Sequence, residues 1–334
     1  MRFLSACGLQ KTDKIPVWFM RQAGRSLPEY RALRKTGDIL AAIRNPEVAY
    51  EITMQPVRRH KVDAAILFCD IVVPLAAIDP SISIVPGTGP VISSPFRGRS
   101  DLARIRDLDP EEDIPYVLET VKALSNQEVP LIGFAGAPFT LASYLIEGGP
   151  SRDHARTKAL MIDDPQLFQD LLSRLARLSS SFLGAQIQAG ARAVQLFDSW
   201  VGTLSKQDYV AHVQAHTREI FENVAVPTIH YGLGTDHLIE SISQTGPRVI
   251  SLDWRTPLDL ARTRYGSRFA IQGNLDPSVL LASPEAAFAQ VRSTLIKAGP
   301  EPGYIFNLGH GVLPETDPEI LTEIVKIVHD HDVK

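Results

Sequence analysis

Cysteine is scarce in this sequence: Cys7 and Cys69 are the only two among its 334 residues. Two thiols cannot form a framework of several disulfides, and their spacing does not match a Cys-x-x-Cys zinc motif. Cys69 ends an apolar run, so we expect it to be a buried or pocket-lining thiol. This use of cysteine is typical of proteins from a reducing compartment, and it favours a cytoplasmic location.

Long apolar runs are also missing. No stretch approaches the roughly 18 apolar residues that a membrane helix needs, and the apolar run within residues 1–7 is too short for a signal peptide. The formal net charge is only -4, so the overall charge gives no reason to expect a nucleic-acid partner. We therefore expect a cytoplasmic enzyme or binding protein in which any positive site is local.

The usual signatures of metals and cofactors are absent as well. The sequence has no Walker phosphate loop, no His-Glu-x-x-His pair and no predicted strand that ends in a Schiff-base lysine. A hydrolase triad around Ser199 lacks the Gly-x-Ser-x-Gly elbow. A magnesium site shared by Asp70 and Asp253 is the metal alternative that remains open. We expect no metal and no organic cofactor.

Two arginines four residues apart follow the first apolar run of strand type. The run covers residues 15–20, and Arg21 and Arg25 come directly after it, separated by a small or polar loop sequence. Two guanidiniums at the carboxyl end of a strand form a fork for carboxylates or phosphates. The alternative interpretation is a pair of surface arginines on a loop.

Strand-like runs recur along the chain with helical stretches between them. Most are unbroken apolar runs, which are typical of parallel strands covered on both faces. The eight candidates are residues 15–20, 64–68, 131–134, 193–197, 226–231, 248–252, 269–272 and 304–307. Eight alternations predict an α/β protein with a single (β/α)8 TIM barrel over residues 1–334. An open doubly wound sheet is the alternative, and the missing Gly-x-Gly-x-x-Gly after the first strand disfavours it.

Local sequence patterns predict where several helices begin and where one long, loop-rich excursion lies. Five prolines each follow a Ser, Asn or Asp residue, a pair that is typical of the first turn of a helix. We therefore expect helices to begin at Pro46, Pro110, Pro165, Pro284 and Pro318. Residues 79–100, rich in proline, glycine and serine, predict a long excursion with a short hairpin formed by residues 82–85 and 91–93. Loops of this length are usually functional.

The predicted strand ends carry the side chains that are able to do chemistry. The carboxyl face of a barrel, where active sites of this fold lie, would gather Arg21, Arg25, Asp70, Ser199, Tyr231, Asp253, Asn274 and His310, with Tyr144 nearby. This set predicts an anion-binding site in which arginines hold an acidic substrate, Asp70 stabilises positive charge, and His310 and Tyr144 donate or orient protons.

Each of these residues also has a purely structural interpretation. His310 would cap the last helix, Tyr144 would be a core tyrosine, and Asp70 would cap the segment that follows it. No lysine or arginine lies within six residues of Asp70 on either side. We therefore expect a carboxylate without a protein cation, which carries a desolvation cost in a closed cleft.

Three segments resemble the uroporphyrinogen decarboxylase family. Residues 16–25, Pro-Val-Trp-Phe-Met-Arg-Gln-Ala-Gly-Arg, followed by Leu-Pro-Glu-Tyr at 27–30, resemble its N-terminal signature. Residues 133–140, Gly-Phe-Ala-Gly-Ala-Pro-Phe-Thr, are similar to its second signature, and residues 307–311, Asn-Leu-Gly-His-Gly, to the segment around its late histidine. Ser26 and Phe139 depart from the Tyr and Trp found in many members. The segments occur in the family's order and span nearly the whole chain.

The resemblance implies a fold and an activity. Members are single-domain (β/α)8 barrels, typically homodimers, that need no metal or organic cofactor. They are carboxy-lyases of haem and tetrapyrrole biosynthesis, and they convert the four acetate side chains of uroporphyrinogen III to methyls, giving coproporphyrinogen III and four CO2. The small-molecule substrate is then the expected partner, besides a second copy of the chain.

The resemblance also implies roles for individual residues. Arg21 and Arg25 match the arginines that bind substrate carboxylates, and Asp70 matches the aspartate that binds the central pyrrole N–H groups. Phe134 and Phe197 would line the macrocycle cleft, and Tyr144, Ser199 and His310 match polar groups that bind carboxylates. Asp70, Arg21 and Tyr144 are the expected catalytic residues. Two other functions stay open: a methyltransferase of the same superfamily, which needs Cys and His zinc ligands, and a non-catalytic tetrapyrrole or carboxylate carrier.

Overall fold

The computed structural model describes residues 1–34, 38–85, 87–222 and 224–331. Sixteen α-helices occur in these ranges. They are α1 Arg2–Cys7, α2 Pro28–Leu33, α3 Ile39–Ile43, α4 Pro46–His60, α5 Val73–Ile78, α6 Pro110–Asp113, α7 Pro115–Leu124, α8 Pro138–Glu147, α9 Ala155–Asp163, α10 Pro165–Ala189, α11 Lys206–Asp208, α12 Gln214–Phe221, α13 Ile239–Ser243, α14 Leu258–Tyr265, α15 Pro284–Ala298 and α16 Pro318–Asp330.

The strands form one large parallel sheet and one hairpin. They are β1 Ala65–Ile66, β2 Ile82–Val85, β3 Gly89–Ile92, β4 Leu131–Gly136, β5 Ala193–Asp198, β6 Thr228–Gly232, β7 Val249–Ser251, β8 Ala270–Leu275 and β9 Tyr304–Leu308. The hairpin β2–β3 is antiparallel, as predicted for the excursion. The parallel sheet has seven strands in the order β1-β4-β5-β6-β7-β8-β9.

The order of the sheet decides between the two predicted architectures. Each strand of the sheet lies beside the next one in the chain, with helices in every connection. A doubly wound sheet reverses its order at a switch point, so that alternative is wrong. The structure therefore confirms an α/β protein of the TIM-barrel-like kind, in which a parallel sheet curls with its helices outside.

The first predicted strand, residues 15–20, is not a regular strand. It makes a single parallel bridge, between Val17 and Phe306. The backbone N–H of Phe306 donates to Pro16 O over 2.9 Å, and Asp63 N–H donates to Val17 O over 2.8 Å. Pro16 has no N–H to give to a ladder, and Val17 N–H donates to the carboxylate of Asp63 instead. The segment therefore lies between β9 and the residues before β1, with too few ladder bonds for a strand.

A buried polar network joins this segment to the sheet. Trp18 Nε1 donates to Gln272 Oε1 over 2.9 Å. Gln272 Nε2 donates in turn to Gln195 Oε1 over 3.1 Å and to Ser251 Oγ over 2.9 Å. All four side chains are buried, and buried polar groups are stable only when they are hydrogen-bonded. The segment, β5, β7 and β8 thus share one interior.

The predicted helix starts are confirmed by their caps. Asn45 Oδ1 accepts from the N–H groups of Glu47 and Val48 at the start of α4, and the same arrangement caps α6, α10, α15 and α16. The helix predicted after Pro28 is two helices, α2 and α3, and part of the stretch between them lies outside the described residues. The helix predicted from Ser205 is broken by a π-helical turn at Tyr209–Val213.

Packing follows the apolar stripes of the helices. In α10 the residues Phe168, Leu171, Leu175, Leu178 and Phe182 recur every three or four positions and are all buried, as their spacing predicts.

Cys7 and Cys69 are free thiols, the first buried and the second half-buried. In the described ranges, we find no helix of the length and hydropathy required to cross a membrane.

Candidate active site

A row of rings crosses the carboxyl half of the sheet. Its ring centroids are separated by 5.4 Å for Phe134 and Phe197, 5.7 Å for Phe197 and Tyr231, 6.5 Å for Tyr231 and His310, and 6.3 Å for His310 and Trp254. Phe197 and Tyr231 are direct register partners in β5 and β6, which explains their contact. The edge-to-face geometry is the one that aromatic pairs prefer. We call these five residues the aromatic row.

Arg21 lies beside the loop that follows β9. Its backbone is left-handed, with φ of 58°. A β-carbon at Gly311 would lie 2.7 Å from Arg21 Cγ, so only glycine leaves room for the arginine stem at this point. Arg21 and Arg25 are both exposed, and neither forms an ion pair with a carboxylate in the described ranges. Their guanidiniums are therefore available to an anion.

Asp70 is half-buried and lies before α5. Its Oδ1 accepts a hydrogen bond from Val72 N–H over 3.0 Å, which holds the turn ahead of the helix without capping it. Burial raises the pKa of the Asp70 carboxyl, while the Val72 N–H and the charge of Arg21 oppose that rise. Asp70 forms no ion pair with a lysine or arginine in the described residues, which agrees with the expectation. The charge of Arg21, from a segment distant in sequence, acts on it without such a pair.

Tyr144 lies on α8. It is half-buried, and its ring packs against the hydrophobic core. Burial and the charge of Asp70 raise the pKa of the Tyr144 hydroxyl, and Arg21 acts in the opposite direction. The Tyr144 ring lies 5.9 Å from the ring of Trp200. Arg21, Asp70 and Tyr144, the three expected catalytic residues, thus lie within range of one another's charges.

Ser199 lies on a turn after β5 that Thr140 holds in place. The hydroxyl of Thr140 donates to Asp198 Oδ1 over 2.9 Å and accepts from Trp200 N–H over 3.2 Å. Asp198 and Thr140 are fully buried. Ser199 is half-buried, and its hydroxyl has no hydrogen-bond partner in the described part of the chain. One buried threonine thus positions both Ser199 and Trp200.

His310 lies in the aromatic row between Tyr231 and Trp254. Burial lowers the pKa of its imidazole to about 4, and the charges of Arg21 and Arg255 act in the same direction. The ring is therefore neutral near pH 7. Tyr231 donates its hydroxyl hydrogen bond to Gly309 O over 3.0 Å and fixes the loop. The last helix, α16, is capped by Asp317, so the capping interpretation of His310 is wrong.

Asp253 and Asn274 brace the loop that follows β7. Asn274 Nδ2 donates to Asp253 O over 2.8 Å and to Thr256 O over 2.7 Å. The Asp253 carboxylate accepts the backbone N–H groups of Arg255 and Gly234. Both side chains are buried. The magnesium alternative needs a free carboxylate at Asp253, and this carboxylate is already engaged.

The rest of the described chain offers no alternative metal site. No group of three or more His, Cys, Asp or Glu side chains arranged to hold a metal ion occurs in the ranges that the structure describes. The pair His212 and His216 has His-x-x-x-His spacing, but His216 Nε2 is bonded to Gln169 Oε1 over 2.6 Å.

Sequence reasoning missed four residues at this site. Trp200 and Trp254 come just after β5 and β7, Arg255 follows Trp254, and Thr140 lies in the first turn of α8. A tryptophan directly after a buried parallel strand is a usable signal, because the carboxyl ends of such strands face the site. The role of Thr140 depends on a contact between α8 and the turn after β5, which no local pattern reveals.

Comparisons with known proteins agree on one family. The family model described as uroporphyrinogen decarboxylase (URO-D) matches residues 1–331. A uroporphyrinogen decarboxylase of Salinispora tropica is 55% identical over 333 residues, covering 98% of this chain and 90% of that protein. One from Streptomyces coelicolor is 56% identical over 332 residues, covering 98% and 93%.

Solved structures add a similarity of fold. A methyltransferase from Methanosarcina mazei superimposes with a TM-score of 0.80 at 19% identity and covers 98% of this chain and 97% of that chain. A B12-independent methionine synthase from Shewanella sp. W3-18-1 gives a TM-score of 0.56 at 13% identity and covers 85% and 87%. At these identities the similarity concerns the fold alone.

Proposed function

Because this chain belongs to the uroporphyrinogen decarboxylase family, we propose that it converts the four acetate side chains of uroporphyrinogen III to methyls. The products are coproporphyrinogen III and four CO2, so the enzyme is a carboxy-lyase of haem biosynthesis. One structural observation supports the proposal most. Arg21, Asp70 and Tyr144 lie within range of one another's charges, and Arg21 also acts on His310 and Tyr231 of the aromatic row.

The chemistry needs an electron sink. Loss of CO2 from an acetate leaves a carbanion unless the electrons of the breaking C–C bond have somewhere to go, and cofactors often supply that sink. A pyrrole supplies its own: protonation at its α-carbon gives a cationic ring, which accepts the electron pair as CO2 leaves. The exocyclic methylene that remains then takes up a proton and the α-carbon loses one, which gives the methyl and restores the pyrrole. The protein has to hold the macrocycle, provide the proton and stabilise the cation.

Asp70 is suited to stabilise that cation. Its half-buried carboxylate has an elevated pKa in the free protein because burial disfavours the anion. Four inward-pointing pyrrole N–H groups would donate to it, and a positive ring would attract it. Both interactions favour the charged form of Asp70 and strengthen as positive charge develops on the ring. This is the differential stabilisation that lowers an activation barrier.

The other residues are suited to orient the substrate. The exposed guanidiniums of Arg21 and Arg25 offer bidentate donors for carboxylates. Ser199, Tyr144 and neutral His310 offer further donors at other points of the cleft. Phe134 and Phe197 provide an apolar surface against which a pyrrole ring packs. In this proposal Asp70, Arg21 and Tyr144 act next to the reacting ring.

The architecture around the site extends the proposal. Residues 1–334 would form one (β/α)8 barrel domain, which the segment 15–20 closes between β9 and the residues before β1. The Val17–Phe306 bridge and the network around Gln272 support this closure. The family resemblance supports a homodimer, and the two free thiols are consistent with the cytoplasm. A monomeric mass in sedimentation at working concentration would contradict the dimer.

The direct test is an anaerobic assay with uroporphyrinogen III. We expect CO2 release and stepwise formation of coproporphyrinogen III, with full activity after exhaustive chelation and dialysis. Tight binding of the porphyrinogen without CO2 release would instead support the carrier alternative. Restoration of a lost activity by zinc, magnesium or pyridoxal phosphate would overturn the cofactor-free mechanism.

A further inference from the structure

Arg255 is an exposed arginine at the edge of the candidate active site. It follows β7, and its guanidinium carbon lies 4.0 Å from the centroid of the Trp254 ring. Cation–π stacking of this kind fixes the plane of a guanidinium while its edge stays accessible. The Arg255 side chain remains 54% exposed. It is therefore held in place, and it still faces solvent.

The charge of Arg255 is only weakly engaged by the protein. Its one ion pair in the described residues is with Asp253, at 3.5 Å from Nη1 to Oδ2. That carboxylate already accepts backbone N–H groups from Arg255 itself and from Gly234. The guanidinium of Arg255 donates no hydrogen bond to any residue that the structure describes. Its N–H fork is thus open to a ligand.

The segments that carry Arg255 and Arg21 both pack against the loop at residues 309–311. A β-carbon at Gly309 would lie 2.9 Å from Trp254 Cα, whereas one at Gly311 would lie 2.7 Å from Arg21 Cγ. His310 lies between these two glycines and feels the positive charge of both arginines. Arg21 also acts on Asp70 and Tyr144. Arg255 thus follows the tryptophan on one side of His310, and Arg21 contacts the glycine on its other side.

We propose that Arg255 binds a carboxylate of the substrate that does not react in that turnover, on a pyrrole ring other than the reacting one. The inference rests on the proposed function, in which the substrate is a macrocycle with a carboxylate on every side chain. An interaction that is equal in the bound substrate and in the transition state raises affinity without raising kcat. Arg255 is thus a binding residue at the rim, distinct from the residues beside the reacting ring.

Arg268 provides a matched control. It is also an exposed arginine on an aromatic ring, with its guanidinium carbon 5.4 Å from the Phe269 centroid. It precedes β8 and so lies at the amino end of the sheet, away from the cleft. Arg255→Gln and Arg268→Gln remove the same charge and disturb the same kind of stacking. Only Arg255→Gln removes the positive charge from the proposed carboxylate-binding site.

The experiment compares KM and kcat for both variants with those of the wild type. We expect KM for uroporphyrinogen III to rise about three- to tenfold in Arg255→Gln, the effect of one charged hydrogen bond at an accessible site. Values of kcat should change less than about twofold. Arg268→Gln should match the wild type, and Arg255→Lys should fall between wild type and Arg255→Gln, because it keeps the charge and loses the fork. Added salt should weaken binding less in Arg255→Gln than in Arg268→Gln.

A second readout does not need turnover. Titration with the octacarboxylic porphyrin measures Kd directly, and we expect the same rise for Arg255→Gln alone. This readout tests Arg255 even if the wild type releases no CO2, so failure of the proposed function and failure of this inference are separable. Equal KM and Kd in Arg255→Gln and Arg268→Gln would overturn the inference. So would a loss confined to kcat.

Discussion

Gly311 packs against the side chain of Arg21 so closely that a β-carbon at position 311 would lie 2.7 Å from Arg21 Cγ. The loop after the last strand of the sheet thereby sets the position of an arginine near the start of the chain. Val312 N–H reinforces the contact by donating to Met20 O over 2.8 Å. The glycine is needed for space, because its own backbone is not left-handed.

We therefore expect Gly311→Ala to displace Arg21 and to lower kcat/KM by roughly ten- to a hundredfold, since a misplacement of about 1 Å has effects of this order. The arginine stem is flexible and exposed, so the melting temperature should change little. Gly184→Ala is the control, because a β-carbon there meets nothing within 4 Å inside α10. That variant should keep full activity and gain about 0.5–1 kcal/mol of stability. Equal kinetics in the two variants would contradict the role assigned to Gly311.

Thr140 offers a second test, of the turn that carries Ser199. Thr140→Val keeps the shape and removes the hydroxyl that bonds Asp198 and Trp200 N–H. Because a buried carboxylate then loses a donor, the free energy of unfolding should fall by about 1–3 kcal/mol, and kcat/KM should fall with it. Thr140→Ser restores the hydroxyl and should recover most of both. Denaturant titrations and steady-state kinetics decide this. A Ser variant no better than Val would rule out the hydrogen bonds as the cause.

Lowering the pH should destabilise the protein, because His60 binds a proton more readily in the unfolded chain than in the folded one. This buried imidazole has its pKa lowered to about 4 by burial and by the neighbouring Arg59, against the opposing charge of Glu29. Between roughly pH 6.5 and 4 the unfolded chain binds the proton and the folded chain does not. The contribution of neutral His60 to the free energy of unfolding, up to about 3 kcal/mol, is therefore fully present above about pH 6.5. It is lost as the pH falls towards 4.

The variant His60→Gln isolates this contribution. Glutamine does not titrate, and it is able to bond Thr322 Oγ1, which lies 2.8 Å from His60 Nδ1. The free energy of unfolding of the variant should fall less steeply between pH 7 and pH 5 than that of the wild type. Parallel curves for the two proteins would show that His60 does not titrate differently in the folded state.

Most of the sheet was predictable from apolar runs, because parallel strands covered on both faces exclude polar residues over four or more positions. The segment 15–20 carries the same signal and still fails to form a regular strand. Pro16 removes one donor, and the Asp63 carboxylate takes the N–H of Val17. That competition depends on a contact across the fold, so no local pattern reports it.

The site was predictable where chemistry follows directly from a strand end. Arg21, Asp70 and His310 were found this way, and the charge of Arg21 acts on both of the others. Asn274 was misjudged because its amide turns inward to brace a loop. The effect of Arg21 on Asp70 was missed because it joins residues distant in sequence. Side-chain direction and long-range charge are consequences of packing, and spacing alone does not determine them.

The central claim is that the Asp70 carboxylate stabilises positive charge on the substrate. Asp70→Asn keeps the size of the side chain, removes the charge and presents a donor to the pyrrole N–H groups. Val72 N–H retains an acceptor in the amide oxygen, so the fold should persist and thermal melts should match. Asp70→Glu keeps the charge in a displaced position and should retain more activity than the asparagine variant.

The most direct measurement is kcat of Asp70→Asn on uroporphyrinogen III, taken beside a thermal melt of the same sample. We predict a fall of at least roughly a hundredfold with an unchanged melt, the size of effect that follows the loss of one preorganised electrostatic group. A kcat equal to that of the wild type in a folded variant would contradict the mechanism and leave Asp70 only its structural bond to Val72.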